Sequence, residues 1–198
     1  TDANGCQGVT TIEITELELP VPEITGETDF CAGESTTLSV NSFSSYNWSN
    51  GNSTQTTNIN TTGELSVIVT DANGCQGVDT IQTIENPLPI FSISGDLDFC
   101  AGESSTLNVD TGFENYQWNN GQNGSTIEVS EEGLFSVTVT DINGCSNSNF
   151  VNTTVFPLPI PSINGDLQFC EGDSTALEIN GNFDTYIWNG NIASASII

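Results

Sequence analysis

The sequence has no lysine, no arginine and no histidine in 198 residues. Each absence removes a class of chemistry. Without His there is no imidazole base or proton shuttle, so a serine triad cannot be assembled. Without Lys there is no Schiff base, and no amine for a Lys–Asn crosslink. Against this stand 26 acidic side chains, giving a formal charge of -26 that nothing in the chain neutralises. Such a molecule repels nucleic acid, and its expected partners are cations, hydroxyl-rich glycans and basic protein surfaces. Paired carboxylates remain for glycoside hydrolysis, but that chemistry normally sits in a cleft of a larger body. No stretch approaches 18 consecutive apolar residues, so no segment is expected to insert in a membrane. A signal peptide is also lacking. The chain opens on Thr1-Asp2-Ala3-Asn4-Gly5-Cys6, a copy of an internal turn, and reads as a segment of something longer.

What is present is repetition. Asp2-Ala3-Asn4-Gly5-Cys6 recurs as Asp71-Ala72-Asn73-Gly74-Cys75 and as Asp141-Ile142-Asn143-Gly144-Cys145, at shifts of 69 and 70 residues. Phe30-Cys31-Ala32-Gly33-Glu34-Ser35 returns as Phe99-Cys100-Ala101-Gly102-Glu103-Ser104 and as Phe169-Cys170-Glu171-Gly172-Asp173-Ser174. The pairs Tyr46/Trp48, Tyr116/Trp118 and Tyr186/Trp188 keep step with both. Three landmarks with one period define a tandem array. A unit of about 70 residues has a thin core and needs a crosslink or a metal to be comfortably stable.

Within a unit the apolar period is two. Leu65, Val67 and Val69 alternate with Ser66, Ile68 and Thr70, and Phe135, Val137 and Val139 repeat the pattern. Leu38/Val40, Leu107/Val109 and Leu177/Ile179 do the same. No sustained helical stripe exists, and Asn-Gly turns punctuate the chain, so each unit reads as a small β-sandwich. Leu19-Pro20-Val21-Pro22, Pro87-Leu88-Pro89 and Pro157-Leu158-Pro159-Ile160-Pro161 stand at one phase of the repeat and read as short, stiff connectors. The division that follows is residues 1–19, the last strand of a preceding unit; 20–88 and 89–158, two complete units; and 159–198, the first half of another. The expected arrangement is head to tail.

Six cysteines in such a pattern point to an oxidising compartment, and their spacings of 25 and 44 or 45 residues, with no CxxC and no His, do not suit zinc. Two pairings are open. Four strands between Cys31 and Cys75 would return the chain to its starting end, which favours Cys31–Cys75 and Cys100–Cys145 inside units, with Cys6 and Cys170 pairing outside the segment. The rival joins Cys75 to Cys100 across the connector, Cys6 to Cys31 and Cys145 to Cys170.

Trp48, Trp118 and Trp188 lie on alternating strands, which places them in the cores; the other use of such rings is a sugar-stacking platform. The Asp-x-Asn-Gly turn offers oxygen ligands, Asp71 and Asn73, then Asp141 and Asn143, for a calcium ion, a cofactor that an all-acidic chain could use. The plainer role of the same residues is a tight turn with positive φ at Gly and a carboxylate cap.

The order Cys-x-Gly-x-Ser, Leu-x-Val, Tyr-x-Trp, then Gly-x-x-x-Val-x-Val-Thr-Asp-x-Asn-Gly-Cys is fullest at Cys31 to Ser35, Tyr46 to Trp48 and Gly63 to Cys75. It is repeated at Cys100 to Ser104, Tyr116 to Trp118 and Gly133 to Cys145. It resembles the immunoglobulin-like and PKD-like repeats of very large surface proteins of the Bacteroidota, exported by the type IX system and exemplified by gliding-motility adhesins. The resemblance covers the chain and implies an all-β array of immunoglobulin-like (PKD-like) sandwiches at the extracellular cell surface. The resemblance says little about duty; the repetition, the paired cysteines and the missing catalytic side chains together point to a structural or adhesive one, with neighbouring repeats, surface glycans or other copies of the chain as expected partners. The alternatives are a spacer array in a secreted polysaccharide-degrading enzyme, or a glycan-binding module. Family members usually carry some Lys and Arg, which this chain lacks; a salty or calcium-rich medium, or filament building, would suit that departure.

Overall fold

The computed structural model describes residues 1–189, 191–193 and 196–197. All of its regular structure is β. Seven strands follow the first proline connector: β1 (Ile24–Thr25), β2 (Asp29–Cys31), β3 (Thr36–Val40), β4 (Ser45–Trp48), β5 (Thr56–Ile59), β6 (Gly63–Thr70) and β7 (Gln76–Asn86). They form two sheets, in the orders β1-β3-β5 and β2-β7-β6-β4. All pairs are antiparallel except β2 with β7, which are parallel with Cys31 opposite Asn86.

The alternation seen in the sequence becomes the inward face of these sheets. Leu38, Val40, Trp48, Ile59, Leu65, Val67 and Val69 are buried together with Ile24 and Phe30, while Phe43, Tyr46 and Ile81 pack at the margin. Trp48 is 1% exposed. Its indole N–H still needs a partner and donates to Thr54 O over 2.8 Å. Tyr46 caps the adjoining loop, its hydroxyl accepting from Phe43 N at 2.8 Å.

The same plan recurs 69 or 70 residues on, as β8 (Ile93–Ser94), β9 (Asp98–Cys100), β10 (Ser105–Val109), β11 (Asn115–Trp118), β12 (Thr126–Val129), β13 (Gly133–Thr140) and β14 (Ser146–Phe156). The sheet orders are β12-β10-β8 and β11-β13-β14-β9. Trp118 is 2% exposed and donates to Gly124 O. Beyond Pro161 come β15 (Ser162–Gly165), β16 (Leu177–Asn180), β17 (Tyr186–Trp188), β18 (Asn191–Ala193) and β19 (Ser196–Ile197), in sheets β15-β16-β19 and β17-β18. Trp188 is only half-buried there.

By compactness the chain forms two units. One holds Thr1–Ser94, Asn108–Ile127 and Phe135–Val151, and with them the whole sandwich β1 to β7, β8, β11 and the turn that ends at Cys145. The other holds Gly95–Leu107, Glu128–Leu134 and Asn152–Ile198, with β9 parallel to the end of β14 and all of β15 to β19. Two parallel-paired Phe-Cys strands thus exist, and in both the phenylalanine is buried: Phe30 at 6% and Phe99 at 7% exposure.

Candidate functional site

The site is built from two recurring pieces of backbone. The first is the Asp-x-Asn-Gly-Cys turn. In Asp141 to Cys145 the Asp141 carboxylate accepts from Asn143 N and Cys145 N, both at 2.9 Å, while Asp141 N donates to Cys145 O. Gly144 takes φ 82°, a conformation that costs glycine little. The turn at Asp71 has the same bonds, with Oδ1 accepting from Asn73 N at 2.9 Å and Cys75 N at 2.8 Å. The four residues named for calcium thus lie in turns whose aspartate oxygen caps backbone donors. Among the described residues no group of three or more His, Cys, Asp or Glu is placed to hold a metal.

The second piece is the short parallel strand that ends in cysteine. Ala32 N donates to Asn86 O over 2.8 Å, so Cys31 is held beside the last residue of β7, where Pro87 begins the connector. The connector then runs along the start of the following long strand: Asn147 Nδ2 donates to Pro89 O at 3.0 Å and Asn149 Nδ2 to Phe91 O at 3.4 Å. Gly77 is the corresponding position in β7, where a Cβ would collide with the Pro20 carbonyl. The first two proline connectors therefore lie against the beginning of a long strand, just after an Asn-Gly-Cys turn.

These two pieces meet across the connector. Cys31 and Cys145 form a disulfide with a Cα–Cα distance of 5.5 Å and a sequence separation of 114 residues. Cys145 is fully buried. Cys6, Cys75, Cys100 and Cys170 are free thiols. This corrects the expected Cys31–Cys75 and Cys100–Cys145 bonds, and none of the rival's three pairs is formed either.

The reason is topological. Strand β2 reverses into β3 through the turn at Ala32 to Ser35, and β3 is antiparallel to β5, so β5 runs with β2. Strand β4 is antiparallel to β6, and β6 to β7, so β4 also runs with β2. Two consecutive strands thus point the same way, and residues 49–55 must travel back between them, ending where Gln55 O accepts from Val40 N at 3.1 Å. That is a fifth pass where four were expected. It leaves Cys75 at the start of β7 and Cys31 at its end, 11 residues apart along one extended strand. At ~3.3 Å per residue the gap is about 36 Å, far beyond the roughly 7 Å that a disulfide tolerates between Cα atoms. The length of the run from Cys75 to Pro87 was readable as one uninterrupted strand, and it was the signal available.

Both fully enclosed tryptophans are unavailable for stacking on a sugar, and a shallow concavity lined by Ser49, Asn50, Thr61, Thr62 and Glu64, with Ile59 and Leu65, offers hydroxyl, amide and carboxylate groups beside two aliphatic side chains. The sequence supplies no His, Lys or Arg, so the side chains that could take part in chemistry here are carboxylates, hydroxyls, amides and thiols. Among the described residues no helix is long and apolar enough to cross a membrane.

No family model matches the sequence, and no curated protein matches it. Among solved structures the chain is similar to murine CEACAM1b, at 14% identity and a TM-score of 0.32, over 68% of this chain and 100% of that one. It is also similar to SGBP-B of the mixed-linkage glucan utilization locus of Bacteroides ovatus, a structure in complex with a mixed-linkage heptasaccharide. There the identity is 15% and the TM-score 0.22, over 71% of this chain and 45% of that one.

Proposed function

We propose that this chain is a non-catalytic structural segment of an exported cell-surface protein, made of immunoglobulin-like units in series at 20–88 and 89–158, with parts of two more at 1–19 and 159–198. Its work is to transmit tension and to hold whatever adheres at a distance from the cell. The observation that carries this reading is the Cys31–Cys145 bond, which ties the Phe-Cys strand beside the end of β7 to the turn before β14, around the Pro87 to Pro89 connector. A covalent staple at that place removes the connector as the weak point under load, and it suits the oxidising exterior of a cell. An unbroken negative charge keeps neighbouring chains apart unless cations or a basic partner intervene.

Single-molecule stretching from the two termini tests it. With the bond intact, the 114 residues between the sulfurs are shielded from full extension. Reduction is expected to release on the order of 380–410 Å of extra contour length. Identical extension before and after reduction would remove the staple as a tension-bearing element. A glycan-binding module is the second reading, favoured by the hydroxyl- and amide-lined concavity at Ser49, Asn50 and Thr61. Retention of the chain on an immobilised neutral glycan, lost in a Ser49→Ala and Asn50→Ala variant, would move the assignment there.

A further inference from the structure

The two bonded cysteines have unbonded twins. Cys100 lies in Asp98-Phe99-Cys100-Ala101-Gly102-Glu103-Ser104, the same seven residues as Asp29 to Ser35 around Cys31. Its strand is parallel to the end of β14, with Cys100 opposite Phe156 as Cys31 is opposite Asn86, and Ala101 N donates to Phe156 O over 2.8 Å as Ala32 N does to Asn86 O. Cys75 closes a turn with the same carboxylate and backbone bonds as the turn of Cys145. Both twins are thiols, Cys100 exposed and Cys75 half-buried.

We propose that Cys100 and Cys75 are the open halves of the same staple: Cys100 takes the cysteine of an Asp-x-Asn-Gly-Cys turn in the unit that follows, and Cys75 the Phe-Cys cysteine of the unit before. The proposal rests on the serial arrangement above and names the partner of each joint. The two do not take each other, because a staple leaves from the end of a long strand, beside the proline connector, and Cys75 stands at the start of β7. The rule for the array is then one bond per joint, always from the Phe-Cys strand of one unit to the Asn-Gly-Cys turn of the next.

Each bond forms by thiol–disulfide exchange with a disulfide oxidant. One cysteine thiolate attacks the oxidant and expels a thiol; the second attacks the mixed disulfide and expels the other, so two cysteine thiols are oxidised and the oxidant leaves as two thiols.

The test is the full chain with residues 89–158 duplicated in tandem after Leu158, folded in reduced and oxidised glutathione. This adds two cysteines and gives Cys100 a complete following unit. Alkylation of the native protein is expected to find no more free thiols than in the original chain, and peptide mapping to find the first Cys100 joined to the second copy of Cys145. Cys100→Ser in the first copy is expected to expose one additional thiol, while Cys75→Ser removes one thiol and no staple. Two additional free thiols in the duplicated chain, or a linked peptide joining Cys75 to Cys100, overturn the proposal. The stretching measurement on the original chain reads the Cys31–Cys145 bond alone, so either idea can fail without the other.

Discussion

Thr1 to Val9 and Thr70 to Val78 are the same nine residues, and they keep only half of their structure in common. The turn is identical in both. Asp2 Oδ1 accepts from Asn4 N and Cys6 N at 3.0 Å, and Gly5 and Gly74 share a φ of 86°. After the cysteine the two copies part. Gln76 to Asn86 is an 11-residue strand between β6 and β2, whereas residues 7–19 form no strand, with Val9 91% and Ile12 87% exposed. A turn closed by its own side chain is complete within five residues; a strand exists only when another strand supplies partners for its backbone groups. Phe169 repeats the lesson. It follows the same pattern as Phe30 and Phe99, but among the described residues no long strand stands beside it, and it is 61% exposed.

Substitutions made in pairs, one in each copy, should separate what is local from what is not. The largest contrast is expected at the cysteines. Cys145→Ser removes the staple that closes a 114-residue loop, worth roughly 2–5 kcal/mol in denaturant unfolding, whereas Cys6→Ser leaves the midpoint unchanged. Equal midpoints for the two variants would mean that the bond contributes nothing to the folded chain.

Next come the glycines. Gly77→Val drives a side chain into the Pro20 carbonyl and is expected to cost about 3 kcal/mol, while Gly8→Val meets nothing within 4 Å and should change stability by less than about 0.5 kcal/mol. Thermal melts of both proteins decide it, and a neutral Gly77→Val would show that the connector can leave β7 freely.

Ile81→Ser, at the margin of the first core, is expected to cost about 1.5 kcal/mol; Ile12→Ser, its counterpart, should leave the melting temperature alone and raise solubility. Asp71→Ala frees two backbone N–H groups and is expected to cost about 1 kcal/mol, against no measurable global change for Asp2→Ala, whose turn opens onto solvent at no expense to a sheet.

The smallest effect concerns the medium. Self-repulsion among -26 charges is screened over about 10 Å at 0.1 M salt, so the melting temperature is expected to climb by a few degrees between low and physiological salt. At equal ionic strength sodium and calcium curves should coincide, because the turn carboxylates are taken up with backbone donors. A steeper calcium curve that flattens in Asp71→Ala would place an ion on the turn.

Much of this protein was legible because it is local or periodic. Alternation at Leu65, Val67 and Val69 marks an inward strand face whatever lies opposite, since successive residues of a strand point to opposite sides. The tryptophans on alternating strands, the Asn-Gly turns and the proline punctuation follow from the same short-range rules. The staple was not legible, for a reason that can be located: it depends on the direction in which residues 49–55 run. That segment has no period of its own, and its course is fixed by contacts such as Gln55 with Val40, which are 15 residues apart in the chain.

By itself, then, the sequence determined the repeat, the all-β class, the turns and the residue types that are missing, because composition and one-residue geometry suffice for these. Only the tertiary structure decided which end of β7 each cysteine occupies, and hence that Cys31 bonds across a connector to Cys145. Parity of strand direction is a property of the whole sandwich, and a single returning segment reverses it.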